Sequence, residues 1–271
     1  MTLYSVVAPH APNYETLFQN HSLSCSGGKW SLAPPKKQNE FHQILIDLCQ
    51  PGTFNDFPKD QLVFFAQRIN SVFTDTQKLE TKPNNEYRIG PAQEDLRHSI
   101  EFNSKTEGYS WLASSYPTLV IDPDKEQGYA SAQTFFDQLR LDYMAQPPFS
   151  IDCSRVSQNL IEPWKTSKAV NHLFKEFLEK NPAENSQKTV LNFLMRTQQL
   201  KFEQNPILTQ KLFETGSSNL IYNVNPNNGS PKIHEFQNED RVPFFGKEPS
   251  GKGQNHLGLV LEDTRKNLRR T

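Results

Sequence analysis

The chain has little apolar character. Hydrophobic residues make up 35% of its 271 residues, and its mean hydropathy is −0.70. No apolar run approaches the ~20 residues that a helix needs to span a bilayer. The N-terminus has neither a basic segment nor a long apolar segment, so a secretory signal peptide is not expected. These absences predict a protein without a membrane partner.

An excess of charge of one sign is also absent. The sequence has 29 lysine and arginine residues against 30 aspartate and glutamate residues, which gives a formal net charge of −1. Proteins that bind nucleic acid or an anionic membrane through their overall charge need a positive excess. We therefore expect no bulk nucleic-acid binding.

Cysteine is scarce. Cys25, Cys49 and Cys153 are the three cysteines, and they lie far apart. An odd number without a C-x-x-C pair argues against a disulfide framework and against a zinc site. Three ordinary thiols fit a reducing compartment, so a cytoplasmic protein is expected. His234 and Glu235 do not extend to the H-E-x-x-H pattern of metallopeptidases, and we predict neither a metal nor a cofactor.

Aromatic residues supply the material for a core. The chain has 19 phenylalanines and 8 tyrosines, each of which can bury a large area. Residues 1–36 are rich in turn formers and predict an irregular or extended lead-in. Residues 74–93 are polar and contain two prolines, which indicates a linker and a boundary near residue 95. We therefore predict a partly helical N-terminal extension at 1–95 and a second domain at 96–271.

Apolar residues at spacings of three and four indicate amphipathic helices. Ser131 is a candidate N-cap of the helix predicted at 130–144. Thr215 and the glycine after it indicate the end of the helix predicted at 206–214. Short apolar runs predict strands at 100–102 and 118–121, and the Asn, Pro and Gly content of 223–250 predicts a long loop. The predicted helices span 39–49, 58–73, 130–144, 167–180, 186–203, 206–214 and 257–269.

Several short motifs follow one another along the second domain. The first three read I-E-F at 100–102, W-L-A-S-S-Y-P at 111–117 and G-Y-A-S-A-Q-T-F-F-D-Q-L-R-L at 128–141. The C-terminal motif combines K-F-E-Q-N at 201–205, Leu208, Leu212, T-G at 215–216, F-G at 245–246 and G-Q-N-H-L-G at 253–258.

Residues 99–270 thereby resemble the NADAR (YbiA-like) family. Members of this family act on N-glycosidic bonds of ribosyl phosphates or of ADP-ribose adducts. The resemblance implies a mainly helical α+β fold with a small strand element. It also implies a phosphorylated ribosyl or ADP-ribosyl compound as the ligand.

The residues that align with the family's catalytic motif depart from it. The family's motif glutamate falls on Gln133 and its motif lysine on Arg140, while a second family glutamate falls on Tyr222. Cleavage of an N-glycosidic bond develops positive charge at the anomeric carbon, which a carboxylate stabilises. A glutamine amide can only form hydrogen bonds there. Asp137 lies on the same helix face as Gln133 and within pairing distance of Arg140, so Gln133, Asp137 and Arg140 are the predicted catalytic residues.

The predicted ligand site uses the glycine-rich C-terminal loop. Glycines let the backbone approach a phosphate and Lys252 adds a charge. Asn255 either caps the last helix or touches the ligand, and Trp111 and Tyr129 either stack on a base or pack in the core. Asp240 is either an acid near the site or a solvated surface residue. The predicted ligand-binding residues are Trp111, Tyr129, Asp240, Phe245, Gly246, Lys252, Gly253 and Asn255.

Three functions remain open. The leading hypothesis is an N-glycosidase-type hydrolase that acts on a phosphorylated ribosyl or ADP-ribosyl adduct. One alternative is a catalytically silent module that binds a nucleotide or ADP-ribose. The other is a bacterial effector or interaction protein, delivered into a host cell, whose N-terminal extension contacts a protein partner. The sequence does not choose among ribosylaminopyrimidine phosphate, ADP-ribosylated guanine and ADP-ribosylated protein as substrates.

Overall fold

The computed structural model describes most of the chain after residue 98 and separate parts of the chain before it. Within these residues, no helix combines the length and the apolar composition that crossing a membrane requires. The described residues are 6–7, 23–26, 29–32, 44–55, 57–76, 99–106, 108–153, 163–180, 184–224, 245–248 and 253–270.

Short strands occur in the segment for which the sequence predicts an irregular or extended lead-in. β1 (Val6–Val7), β2 (Leu23–Ser26) and β3 (Lys29–Leu32) form an antiparallel sheet in the order β1-β3-β2. Trp30 in the central strand pairs with Val6 on one side and with Cys25 on the other. The segment is therefore extended at these positions, but residue spacing alone does not indicate their pairing into a sheet.

Helical segments lie in the part of the chain that the sequence predicts as a partly helical extension. Residues 44–48 are helical and lie inside the predicted helix at 39–49. A longer helix, α1, spans Lys59–Thr76 and agrees with the prediction at 58–73. Pro58 lies just before α1. Proline is tolerated there because the N–H groups at the start of a helix have no partner within the helix.

The apolar faces of these helical segments pack into a core that continues past residue 95. Asn70 in α1 is buried and forms hydrogen bonds with the backbone of Leu119 and Gln204. The predicted division near residue 95 stays a prediction, because the segment between the two parts lies outside the described residues. The buried members of this core are Ile44, Leu45, Leu48, Phe54, Phe57, Leu62, Phe65, Ala66, Ile69, Leu119 and Ile121.

Among the described residues after residue 98, the strands form two small sheets. β4 (Ser99–Phe102) pairs in parallel with β7 (Asn219–Tyr222). β5 (Val120–Asp122) forms an antiparallel pair with β6 (Gln127–Tyr129). The strands predicted at 100–102 and 118–121 are confirmed, although the second begins and ends later than predicted. Strands β6 and β7 carry no clear signal in the sequence, because both are short and mix polar with apolar residues.

The described residues after β6 are mostly helical, so the fold is a mixture of helices and small sheets, as an α+β class requires. Ser131 caps the first of these helices, because its Oγ accepts the backbone N–H of Thr134 at 3.1 Å. The predicted helices are confirmed to within a few residues at each end. They are α2 (Ala132–Ala145), α3 (Pro163–Lys180), α4 (Glu184–Glu203), α5 (Pro206–Glu214) and α6 (His256–Leu268).

Helix α6 packs directly on β7. A Cβ atom at Gly258 would lie 1.9 Å from the carbonyl oxygen of Leu220, so this approach requires glycine. Glu262 accepts the backbone N–H of Leu220 at 3.0 Å, and Arg265 donates to Thr215 Oγ1 at 2.5 Å. Helix α6 thereby holds both the end of α5 and the strand that carries Tyr222.

Candidate functional site

A small central cavity lies among α2, α3, α4, β7 and the start of α6. Its volume is about 40 Å³, which is room for about three water molecules. The predicted site residues Gln133, Arg140 and Phe245 lie on its walls, so the structure brings part of the predicted site together. The lining residues are Ser104, Ala113, Ser114, Ser115, Gln133, Phe136, Arg140, Asn171, Leu194, Tyr222, Phe245 and Leu257.

The α2 wall carries a row of connected polar side chains. Gln133 Nε2 donates to Asp137 Oδ1 at 3.0 Å, and Arg140 Nη2 donates to the same oxygen. Asp137 is 1% exposed and Arg140 is 3% exposed, so the ion pair is buried. The three side chains share one face of α2, as their spacing predicts, while their catalytic roles stay predictions.

The contacts of Asp137 decide what its carboxylate can do. Protonation of Oδ1 would disrupt the ion pair with Arg140 and the hydrogen bond from Gln133. A carboxylate held by two donors is therefore a poor general base in this arrangement. It can supply a fixed negative charge beside the cavity.

Arg140 is held in place on several sides. Its guanidinium carbon lies 4.6 Å from the ring centroid of Phe136 and 5.3 Å from that of Phe174. Nη1 donates to Asn171 Oδ1 at 2.7 Å. In the described part of the chain, Nε of Arg140 has no hydrogen-bond partner. A buried donor without a partner costs about 1–3 kcal/mol, and a bound acceptor would remove that cost.

Two further side chains add donors to the cavity. Asn171 Nδ2 is buried and has no hydrogen-bond partner among the described residues. Gln198 Nε2 donates to Ser114 Oγ at 2.9 Å, which leaves the hydroxyl proton of Ser114 for another acceptor. Together with Arg140, whose charge Asp137 balances, these groups make a site rich in hydrogen-bond donors, which suits a ligand with several oxygen atoms.

A second buried cation lies behind the cavity wall. Lys201 on α4 is 0% exposed, and its Nζ donates to the carbonyl oxygens of Trp111 at 2.7 Å and Ala113 at 2.8 Å. Burial lowers the pKa of Lys201 to about 7. No carboxylate of the described residues forms an ion pair with it. Lys201 therefore fixes the segment that leads into Ser114.

The glutamine and the asparagine of the K-F-E-Q-N motif bond the backbone of β5 and of α5. Gln204 Oε1 accepts the backbone N–H of Ile121 at 2.8 Å, and Gln204 Nε2 donates to the carbonyl oxygen of Ile121 at 2.7 Å. Asn205 Oδ1 accepts the backbone N–H of Leu208 at 3.1 Å and caps α5. Neither side chain lines the cavity, so both have structural roles here.

The C-terminal candidates also occupy structural positions. Asn255 precedes α6 with φ 56°, but its side chain makes no capping bond. Its Oδ1 accepts the N–H of Tyr222 at 3.0 Å and its Nδ2 donates to the carbonyl oxygen of Leu220 at 2.9 Å. A Cβ at Gly253 would lie 2.1 Å from the carbonyl oxygen of Gly246. The structure thus assigns the Asn255 amide to β7, and none of Gly246, Gly253 and Asn255 lines the cavity.

The two predicted stacking aromatics pack in the core. Trp111 is buried and belongs to the main apolar cluster. Tyr129 is buried, stacks on Phe135 with 4.7 Å between centroids, and has a pKa that burial raises. Neither side chain lines the cavity, so the structure supports the core alternative for both. Asp240 and Lys252 lie outside the described residues, and their roles stay predictions.

Asn171, which lines the cavity, and Gln198, which donates to the lining residue Ser114, are not predicted from the sequence. The position of Lys201 behind the cavity is not predicted either. Each is a polar residue on a helix face that is otherwise apolar. Asn171 lies three residues before Phe174, and Gln198 lies four residues after Leu194. Polar side chains at core positions are uncommon, so their presence on these faces is the signal that could have found them.

Within the described residues, no group of three or more His, Cys, Asp or Glu side chains is arranged to hold a metal ion. Comparison of the sequence with protein-family models and with curated proteins finds no match. The resemblance to the NADAR family therefore rests on the motifs at 100–102, 111–117, 128–141 and 201–258.

Proposed function

We propose that the protein binds a phosphorylated ribosyl or ADP-ribosyl compound and places a phosphate group in the central cavity. The observation that carries this proposal is a pair of buried donors, Arg140 Nε and Asn171 Nδ2, which have no hydrogen-bond partner among the described residues. A phosphate oxygen accepts strongly from a guanidinium N–H and from an amide. The resemblance to the NADAR family supports the ribosyl part of the proposal.

The size of the cavity limits which part of the ligand enters it. A volume of about 40 Å³ is far below the roughly 300–1,000 Å³ of pockets that enclose a whole small-molecule ligand. A phosphate group can replace about three water molecules, whereas a nucleoside cannot fit. The ribosyl part would lie outside the present cavity, or the walls would move to admit it.

Hydrolysis of an N-glycosidic bond is the second candidate function. The buried Asp137 beside the cavity favours it, because a negative charge stabilises an oxocarbenium-like centre. An active enzyme would have to free this carboxylate from Gln133 or Arg140 when the ligand binds. Binding requires no such rearrangement, so it is the function that the geometry supports best.

Calorimetry with D-ribose 5-phosphate tests binding, with D-ribose as the neutral control ligand. The Asn171→Asp variant keeps the side-chain volume and an oxygen for Arg140, but it replaces the unpartnered donor with a negative charge. A charge-assisted hydrogen bond contributes about 1.5–3 kcal/mol, so affinity should fall by tenfold or more. Asn192→Asp makes the same change on the exposed face of α4 and should bind like the unchanged protein.

The result that would contradict this proposal is equal affinity for the phosphate ester and the free sugar. Equal loss in the Asn171→Asp and Asn192→Asp variants would also contradict it, because the effect would then come from overall charge. Both variants should unfold at similar temperatures, which shows that the comparison concerns binding.

The second candidate has a separate test. In Gln133→Glu, two carboxylates would lie within hydrogen-bonding reach of each other and would share Arg140, which favours a proton on one of them. If the protein is a hydrolase, this variant should release base from a ribosylaminopyrimidine phosphate faster than the unchanged protein, and Asp137→Asn should abolish turnover. A carboxylate in this role contributes about 10²–10⁴-fold. Turnover that neither change affects would place the active site elsewhere.

A further inference from the structure

The central cavity lies beside two buried cations that differ in their pairing. Arg140 is paired with Asp137, whereas Lys201 has no carboxylate partner among the described residues. A buried charge without a counter-ion is costly, because water no longer solvates it. Lys201 donates to two carbonyl oxygens, which solvate the ammonium group but do not neutralise it.

The uncompensated charge lies close to the space that a ligand would fill. Ala113 accepts a hydrogen bond from Lys201 Nζ at 2.8 Å, and Ala113 itself lines the cavity together with Ser114. One residue of the wall therefore separates the ammonium group from a bound anion. At such a separation and low polarity, the attraction between opposite charges is much stronger than in water.

We propose that an anionic ligand is the missing counter-ion of Lys201, so that the site binds the anion together with a proton on this lysine. This inference rests on the proposed binding of a phosphate group. Asp137 neutralises Arg140, so the positive charge that the described residues leave beside the cavity is that of Lys201. An anion in the cavity compensates this charge, whereas an uncharged sugar does not.

The other groups near the cavity do not produce the same pH dependence. Across the cavity, α2 presents the paired Asp137 and Arg140. The Tyr116 ring centroid lies 5.9 Å from Lys201 Nζ, and burial raises the pKa of Tyr116 to about 12. His256, beside the cavity residue Leu257, has a pKa that partial burial lowers. Between pH 6.5 and 8, Lys201 is therefore the group near the cavity whose charge changes most.

Sulfate is the probe that tests the proposal, because it stays a tetrahedral dianion between pH 6 and 8. With a pKa of about 7, Lys201 is about nine-tenths protonated at pH 6 and about one-tenth protonated at pH 8. If only the protonated form binds, the Kd for sulfate should rise about tenfold between these two pH values. Competition of sulfate with D-ribose 5-phosphate, and loss of sulfate binding in Asn171→Asp, would show that sulfate occupies the central cavity.

Three variants show which group causes the pH dependence of sulfate binding. Lys201→Met keeps the length of the side chain and removes the charge, so sulfate binding should become weak and independent of pH. Lys266→Met removes a lysine that is 61% exposed on α6 and should leave both affinity and pH dependence unchanged. His256→Gln should keep the pH dependence, which separates the lysine from the nearby histidine.

A measurement on the unchanged protein keeps the test valid if Lys201→Met does not fold. Calorimetry at pH 7 in two buffers of different ionisation enthalpy gives the number of protons taken up with each sulfate, and about half a proton is expected for a pKa of about 7. Sulfate binding without proton uptake and without pH dependence would overturn this inference alone. Absence of any sulfate or phosphate-ester binding at pH 6 would overturn both this inference and the proposed function.

Discussion

Replacement of Asn70 by leucine should strongly destabilise the protein. Asn70 lies in α1 and is 1% exposed. Its Nδ2 donates to the carbonyl oxygens of Leu119 at 2.8 Å and Gln204 at 2.7 Å. Its Oδ1 accepts the backbone N–H of Leu119 at 2.9 Å. Leucine has a similar volume but makes none of these hydrogen bonds.

The size of the effect follows from the groups that lose Asn70 as a partner. Three buried backbone groups are affected, together with the Thr118 hydroxyl, which donates to Asn70 Oδ1 at 3.0 Å. Each unsatisfied group costs about 1–3 kcal/mol, and the added apolar surface of leucine offsets about 1.5–3 kcal/mol. At the middle of these ranges, the three backbone groups alone give a loss of about 4 kcal/mol in the free energy of unfolding, which is a large part of the roughly 5–15 kcal/mol that a typical protein has.

Urea unfolding followed by circular dichroism measures this loss. Asn192→Leu, at an exposed position of α4, is the matched control and should change stability by no more than about 0.5 kcal/mol. If Asn70→Leu costs less than about 1 kcal/mol, then the hydrogen bonds of Asn70 do not hold α1 to the rest of the fold.

The remaining predictions concern a cap, a glycine and a buried lysine. Ser131→Ala removes the cap of α2 and should cost about 1 kcal/mol, measured as a lower Tm. Gly258→Ala places a Cβ 1.9 Å from the carbonyl oxygen of Leu220, so α6 should detach from β7 and the Tm should fall much further than for Ser131→Ala. Burial lowers the pKa of Lys201 to about 7. Above this pH the unfolded chain therefore binds more protons than the folded protein. The free energy of unfolding should rise with pH, by up to about 1.4 kcal/mol per pH unit between pH 7 and 8. Above pH 8, Cys49 opposes this trend because burial raises the pKa of its thiol. A free energy of unfolding that falls between pH 7 and 8 would contradict the expected effect of Lys201.

The contacts of Asn70 also bear on the division of the chain that the sequence predicts. A polar segment with two prolines indicates a linker at 74–93, because such segments rarely pack. Composition cannot show whether the residues before a linker share a core with those after it. Leu119 and Ile121 pack against α1 and the helical segment at 44–48. Limited proteolysis decides the question, since a stable fragment that starts near residue 95 would support two modules.

Helices could be predicted from the sequence because their contacts recur every three or four residues. The 186–203 prediction differs from α4 at Glu184–Glu203 only at its start. Strand β7 could not be predicted in the same way, because its partner β4 lies far away in the sequence. The parallel pairing of β4 and β7 depends on how the helices between them pack. The four residues of β7 mix polar and apolar side chains, so they show no alternation that would indicate a strand.

The same distinction applies to the candidate site. The contact between Asp137 and Arg140 could be predicted, because a spacing of three residues on one helix brings the side chains together. The contact of Arg140 with Asn171 could not, because it joins two helices whose relative position depends on the packing of α2 against α3. That packing buries Arg140 Nε and Asn171 Nδ2 without a hydrogen-bond partner in the part of the chain that the structure describes, and these donors are the features that indicate an anion.

The identity of residue 133 bears on the choice between the two proposed functions. Gln133 donates to Asp137, so the amide stabilises the carboxylate that also holds Arg140. A glutamate at this position could not donate unless it were protonated, and it would compete with Asp137 for the same guanidinium. Glutamine therefore leaves Asp137 as the carboxylate that pairs with Arg140 among the described residues, and it adds no second negative charge to this wall. These contacts favour binding of an anion over acid–base chemistry, and they explain why a one-atom change from amide to carboxylate is the sharpest test of the two functions.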